Sequence, residues 1–177
     1  MRRSIVSVCA VLLIPVLVAA QANLEAKQEH MEAVAFMVGE WSGEGWIVTG
    51  PNRPQKFSSS ETIDSHLDGL VLTIDGVHKS LEEANLGEPV HRAFAVLSWD
   101  DAAQAYRFES HLANGRSGDF EGRFEDGAFV WGMELPGRSI RYTITIDDQR
   151  RWTEIGESSS DGENWPQFFE MTLQRVE

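Results

Sequence analysis

Alternation of polarity at every second residue, repeated in run after run, constrains this chain more than any other feature. Ile140, Tyr142, Ile144 and Ile146 share one parity, with Arg141, Thr143 and Thr145 between them. Phe129, Trp131, Met133 and Leu135 do the same around Glu134, and Tyr106, Phe108, Ser110 and Leu112 around Arg107, Glu109 and His111. Phe169, Met171, Leu173 and Arg175 alternate with Glu170, Thr172 and Gln174. Successive strand side chains point to opposite faces of a sheet, so each run has one dry and one wet face. That pattern suits an antiparallel sheet closed on itself and excludes a doubly wound parallel sheet, whose strands are apolar on both faces.

The connections agree. Asp68-Gly69, Asn114-Gly115, Asp126-Gly127 and Asp161-Gly162 supply the positive φ angles that tight hairpins require. Gly50-Pro51-Asn52-Arg53-Pro54 and the charged stretch Ser80 to Pro89 make longer loops, and Asp100-Asp101 closes another connection. The reading is an all-β fold: an antiparallel up-and-down barrel of about ten strands with a short N-terminal helix capping one end. Leu24, Met31, Val34, Ala35 and Val38 lie at helical spacing, so the helix is expected over Asn23 to Val38. It leads into Phe36-Met37-Val38-Gly39-Glu40-Trp41, where the first strand begins.

Residues 1–22 read as a signal peptide and residues 23–177 as the barrel domain. Arg2 and Arg3 form a basic start, Ile5 to Val18 is almost wholly apolar, and Ala20 and Ala22 are small where a signal peptidase inspects its substrate. The apolar run falls short of the ~20 residues that span a bilayer. The expected location is periplasmic or secreted. Cleavage would remove Cys9, the only cysteine, and shift the formal charge from −13 to −15 through loss of Arg2 and Arg3. An acidic chain of this kind offers no basic patch for nucleic acid or an anionic membrane surface. Neither is expected as a partner.

Gly39-Glu40-Trp41 at a helix-to-strand junction resembles the opening of the lipocalins and calycins. In those barrels the Trp closes one end beneath a basic residue of the last strand, a role the resemblance gives to Trp41 and Arg175. A longer series resembles a bacterial family known as domain of unknown function 1579. It comprises Met37-Val38-Gly39-Glu40-Trp41, Gly69-Leu70-Val71-Leu72, Pro89-Val90-His91, Tyr106-Arg107-Phe108, Ile140-Arg141-Tyr142-Thr143 and Trp152-Thr153-Glu154. Glu157-Ser158, Ser160-Asp161-Gly162, Trp165 and Phe169-Glu170-Met171-Thr172-Leu173 complete it. That resemblance implies a calycin-like, often exported barrel and carries no established activity or catalytic residue. Haem-binding barrels of the nitrobindin type are more distant look-alikes that ligate iron through a late histidine. Here no histidine follows His111, so the resemblance does not extend to haem.

Polar residues of inward parity are the candidates for function, because burying them costs energy unless they are paired or wet. Glu61 shares a face with Phe57 and Ile63, His78 follows Leu72, Ile74 and Gly76, and Glu154 follows Trp152. His91 shares parity with Ala93, Ala95 and Leu97, although Phe94 and Val96 leave that strand's facing ambiguous. With Ser110, Trp131 and Tyr142 these residues sketch an apolar cavity holding a few polar anchors. Each also has a scaffold explanation: the histidines as hydrogen-bonded framework, Glu61 and Glu154 as partners of an arginine such as Arg92 or Arg141, Trp131 and Tyr142 as core. His66 and His111 fall on wet faces.

No zinc spacing, serine-nucleophile elbow or phosphate loop occurs, so no cofactor or metal is expected. Three functions fit. The leading one is a binding module for a small, mainly apolar ligand; the others are a small hydrolase or isomerase using interior Glu and His, and a filled structural or partner-binding barrel.

Overall fold

The structure is a computed structural model that describes residues 13–48, 50 and 53–176. Helix α1 (Leu13–Glu32) is followed by a short 3-10 helix, Ala35–Met37. Ten strands come next: β1 (Gly39–Ile47), β2 (Gln55–His66), β3 (Val71–Ser80), β4 (Pro89–Asp100) and β5 (Ala105–Leu112). The rest are β6 (Ser117–Glu125), β7 (Ala128–Leu135), β8 (Arg138–Ile146), β9 (Trp152–Ser159) and β10 (Gln167–Arg175). Each strand pairs antiparallel with its sequence neighbour, and β1 pairs with β10 from Trp41↔Arg175 to Ile47↔Phe169. Closure leaves no unpaired edge.

The turns do what their residues allow. Asp126 and Gly127 have φ of 51° and 83°, the two successive positive values of a type I′ hairpin, and the longer Leu67–Leu70 turn has three in a row, 52°, 56° and 90° at Leu67, Asp68 and Gly69. Pro136-Gly137, between β7 and β8, is a further turn, with Gly137 at φ 73°. The loop after β3 holds another 3-10 helix, Glu83–Asn85.

The helix departs from its expected limits at both ends. Its described part already runs from Leu13, upstream of the expected Asn23. It stops at Glu32 rather than Val38, because Val34 and Met37 must both drop into the barrel end, and only the tighter 3-10 turn brings Trp41 in behind them. The basic start and the front of the predicted signal peptide, residues 1–12, lie outside the described residues. Among the described residues no helix is long and apolar enough to cross a membrane.

The helix closes the end where β1 begins. Met31 and Val34 are buried there. The His30 ring stacks on Trp99 at 3.6 Å between centroids, and Tyr106 Oη donates to the His30 carbonyl at 2.6 Å. Lys27 meets Asp101 at 3.0 Å, and Gln28 Nε2 donates to the Asp68 carbonyl at 3.1 Å. Beneath the helix, Met37, Trp41, Ile63, Leu72, Leu97, Phe129, Trp152 and Leu173 fill the bottom of the barrel. The filling stops partway up.

Candidate functional site

Above that floor lies a cavity of about 350 Å³. It rises from Met37 and Trp152, past Ala93, Ala95, Phe108 and Trp131, to Gln55, Val90, Arg116 and Ser117 at the strand ends farthest from Trp41. The mouth is therefore opposite the helix. Inner positions of β4 explain the space: Ala95 puts a methyl group between Ile74 and Ser110 of its neighbouring strands, and Ala93 puts one between Gly76 and Leu112. The facing of β4 is unambiguous in the structure, because His91, Ala93, Ala95 and Leu97 line the interior while Phe94 is 45% exposed.

One wall carries a linked polar group. Glu61 on β2 and His78 on β3 are both buried, and Glu61 Oε1 lies 3.1 Å from His78 Nε2. The two are diagonal across the ladder: Glu61 pairs with Gly76, and His78 with Ser59. Gly76 makes the geometry possible, since a Cβ there would stand 2.5 Å from Glu61 Oε2. The ring of His91 meets His78 edge-on at 5.2 Å, and Phe57 packs against His78 at 4.7 Å. Loss of hydration on the cavity side, with the neighbouring His78, holds His91 down to about 4. His91 is nonetheless an exposed residue at the rim. Its imidazole is neutral near pH 7.

The opposite wall carries Glu154 on β9. It is buried at 9% exposure, and burial together with the charge of Glu61 pushes its carboxyl up to about 8. The indole N–H groups of Trp131 and Trp152 draw it down again by a smaller amount. The Trp152 N–H lies on the carboxylate's side of the barrel but makes no hydrogen bond of ordinary geometry. Trp131 and Tyr142 stack at 4.3 Å with an interplanar angle of 10°, and both face the cavity half-buried. Burial and the Glu154 charge raise the Tyr142 phenol above its ordinary range.

The structure thus brings Glu61, His78, His91, Ser110, Trp131, Tyr142 and Glu154 to one cavity. Neither carboxylate takes an arginine. Arg141, considered above as a partner, lies outside with Glu157 at 2.8 Å and over the Trp165 ring at 4.4 Å. Glu61 uses His78 instead, because outward parity carries Arg141 to the other face. Trp41 and Arg175 lie at the closed end, where the Arg175 guanidinium covers the indole at 4.6 Å. Arg175 is exposed rather than buried, since it is the last residue of β10 and only its underside meets protein. His66 is on the outer face, 2.9 Å from Thr73 Oγ1.

The sequence reading missed several lining residues. Phe57, Met133 and Phe169 had the right parity but were not singled out, Phe120 joins them from β6, and Arg116 sits in a turn where parity says nothing. Among the described residues no group of three or more His, Cys, Asp or Glu side chains is placed to hold a metal ion.

A closed antiparallel barrel with a helix over one end and a lined cavity at the other is a calycin-like architecture, and the chain is similar to lipocalin-like barrels. The crystal structure of Rv2717c from M. tuberculosis matches with a TM-score of 0.60 at 14% identity, over 83% of this chain and 97% of that one. The S-type phycobiliprotein lyase CPES from Guillardia theta matches with a TM-score of 0.54 at 13% identity, over 84% and 92%. Likeness at such identity establishes the fold. Comparisons with protein-family models and with curated proteins found no match.

Proposed function

We propose that this barrel is a binding module for a small, mainly apolar molecule, which enters opposite Trp41 and sits between Trp131, Tyr142, Phe108 and the β4 alanines. The observation that carries this reading is the cavity of about 350 Å³, within the range of small-ligand sites. A filled structural barrel would have no reason to combine Ala93 and Ala95 with buried Glu61, His78 and Glu154. The resemblance to domain of unknown function 1579 adds the expectation of an exported protein.

Titrating an apolar fluorescent probe into the parent and into a double variant, Ala93→Phe with Ala95→Phe, tests the reading. The parent should bind the probe and the filled barrel should not, with circular dichroism unchanged. Equal binding by both would refute it.

A second reading has one observation behind it. Two interior carboxylates, one held protonated near neutrality and the other hydrogen-bonded to a histidine, form a pair whose environments separate their roles. That is the raw material of a proton-transfer site, such as an isomerase or hydrolase would use. Any turnover discovered should then be lost in Glu154→Gln.

A further inference from the structure

The ionisable groups lining the cavity are Glu61 on β2, His78 on β3, His91 on β4, Arg116 in the turn after β5, Tyr142 on β8 and Glu154 on β9. Their balance is lopsided. Arg116 is the one Lys or Arg among the described lining residues, and it stands at the mouth, in the exposed turn before β6. His78 is the basic group within hydrogen-bond distance of a carboxylate, and it is engaged by Glu61. His91 is held neutral. Glu154 is thereby left on an aromatic wall with no cation of the protein beside it, in the field of a second carboxylate.

A buried carboxylate in that position has two ways to lower its energy: to keep its proton, or to meet a positive charge that arrives from outside. The surroundings favour the second whenever a suitable guest is present. The stacked Trp131–Tyr142 pair and Phe169 offer π-faces beside Glu154, and aromatic faces attract organic cations as carboxylates do. A guest carboxylate would instead bring a negative charge of its own to Glu154, beside Glu61, with nothing positive to meet it there.

Resting on the small-molecule reading above, we propose that the cavity takes an apolar organic amine, its ammonium at Glu154 within the field of Glu61 and its hydrophobic body against Trp131, Tyr142 and Phe169. Binding has a proton balance. The ammonium enters charged, Glu154 gives its proton to the solvent, and the pair forms in place of the neutral carboxyl. Affinity for the amine therefore rises with pH from about 6 to about 8 as the proton becomes easier to remove, and it falls again once the amine itself deprotonates.

Calorimetric titration of the whole protein with 2-naphthylmethylamine, 2-naphthylmethanol and 2-naphthoate separates the possibilities. Runs at pH 7 in two buffers of different ionisation enthalpy count the protons released. The amine should bind about tenfold or more tighter than the alcohol, as a desolvated charged pair requires, the naphthoate weakest, with close to one proton released per amine. Glu154→Gln should abolish the proton release and bring amine and alcohol to similar affinities. Alcohol or naphthoate binding as well as the amine to the parent, with no proton released, would overturn the amine proposal and leave the small-molecule reading standing. Failure of all three to bind would overturn both. The parent measurements decide the matter even if the Gln variant folds poorly.

Discussion

Arg175 lies over Trp41, its guanidinium carbon 4.6 Å from the indole centroid, and its two terminal nitrogens donate to the carbonyls of Val38 at 2.7 Å and Phe36 at 3.0 Å. One side chain of the last strand thus ties down the 3-10 turn and roofs the first aromatic of β1. Gly39 lets it pass: its φ is +134°, and a Cβ there would stand 2.6 Å from Arg175 Nη1. The Gly-x-Trp spacing therefore has a physical basis. The glycine clears the path of the arginine, and the Trp is what the arginine covers.

Trp41→Ala should cost about 3–5 kcal/mol, because a fully buried aromatic and its hydrogen bond to Met37 O at 2.7 Å are lost together. Arg175→Ala should cost less, about 1–3 kcal/mol, from the exposed cation–π contact and two carbonyl partners. Urea unfolding of both variants checks the order. A Trp41→Ala midpoint equal to the parent's would remove this end from any organising role.

Gly76→Ala should disturb the site without replacing a titratable group. The added methyl would meet the Glu61 carboxylate at 2.5–2.8 Å, forcing it off His78. We expect a loss of about 1–3 kcal/mol, typical of overpacking, together with a changed imidazole resonance for His78 by NMR. An unaltered His78 resonance would mean that Gly76 does not set the pair.

Stability should depend on pH in a way that follows from two opposed groups. Glu154 keeps its proton in the folded barrel up to about 8, whereas unfolded it ionises near 4.5. The folded state binds the extra proton between those values, so stability falls as pH rises through that window, by on the order of 4 kcal/mol. His91 works the other way: its lowered imidazole lets stability rise with pH below 6.5, an effect that solvent at the exposed rim weakens. It offsets Glu154 in part up to pH 6.5, and Glu154 acts alone from there to 8. The decline should thus be steepest between pH 6.5 and 8. Glu154→Gln should remove the decline, and a Gln variant that declines as steeply as the parent would contradict the assignment.

We propose that the chain is exported and that its mature form begins at Asn23. The described contacts that dock α1 on the barrel, from Asn23 to Asp101 at 3.2 Å through His30 on Trp99, all lie at or after that residue. Cutting there would leave the docked part intact. Mass spectrometry of the exported form should give that N-terminus, whereas Met1 would rule the boundary out.

Parity carried the sequence reading far. It put Glu61, His78, Ser110, Trp131, Tyr142 and Glu154 on inner faces, because one-residue alternation is a strict rule wherever one face is dry. What alternation cannot convey is how strands slide past one another. The bond between Glu61 and His78 depends on the register that the Leu67–Leu70 turn imposes on β2 and β3, and on the gap at Gly76. Arg116 escaped because a turn residue has no parity. The helix limits escaped because the 3-10 turn is imposed by the packing of Val34 and Met37 rather than by local preference.

The central claim, that the barrel interior is a binding chamber, is tested most directly by NMR of the labelled protein during titration with a small apolar probe. The account predicts shifts concentrated in the methyl groups of Ala93 and Ala95 and in the indole N–H signals of Trp131 and Trp152, with Trp165 on the outside unmoved. Shifts confined to the outer faces, or none at saturating probe, would contradict it.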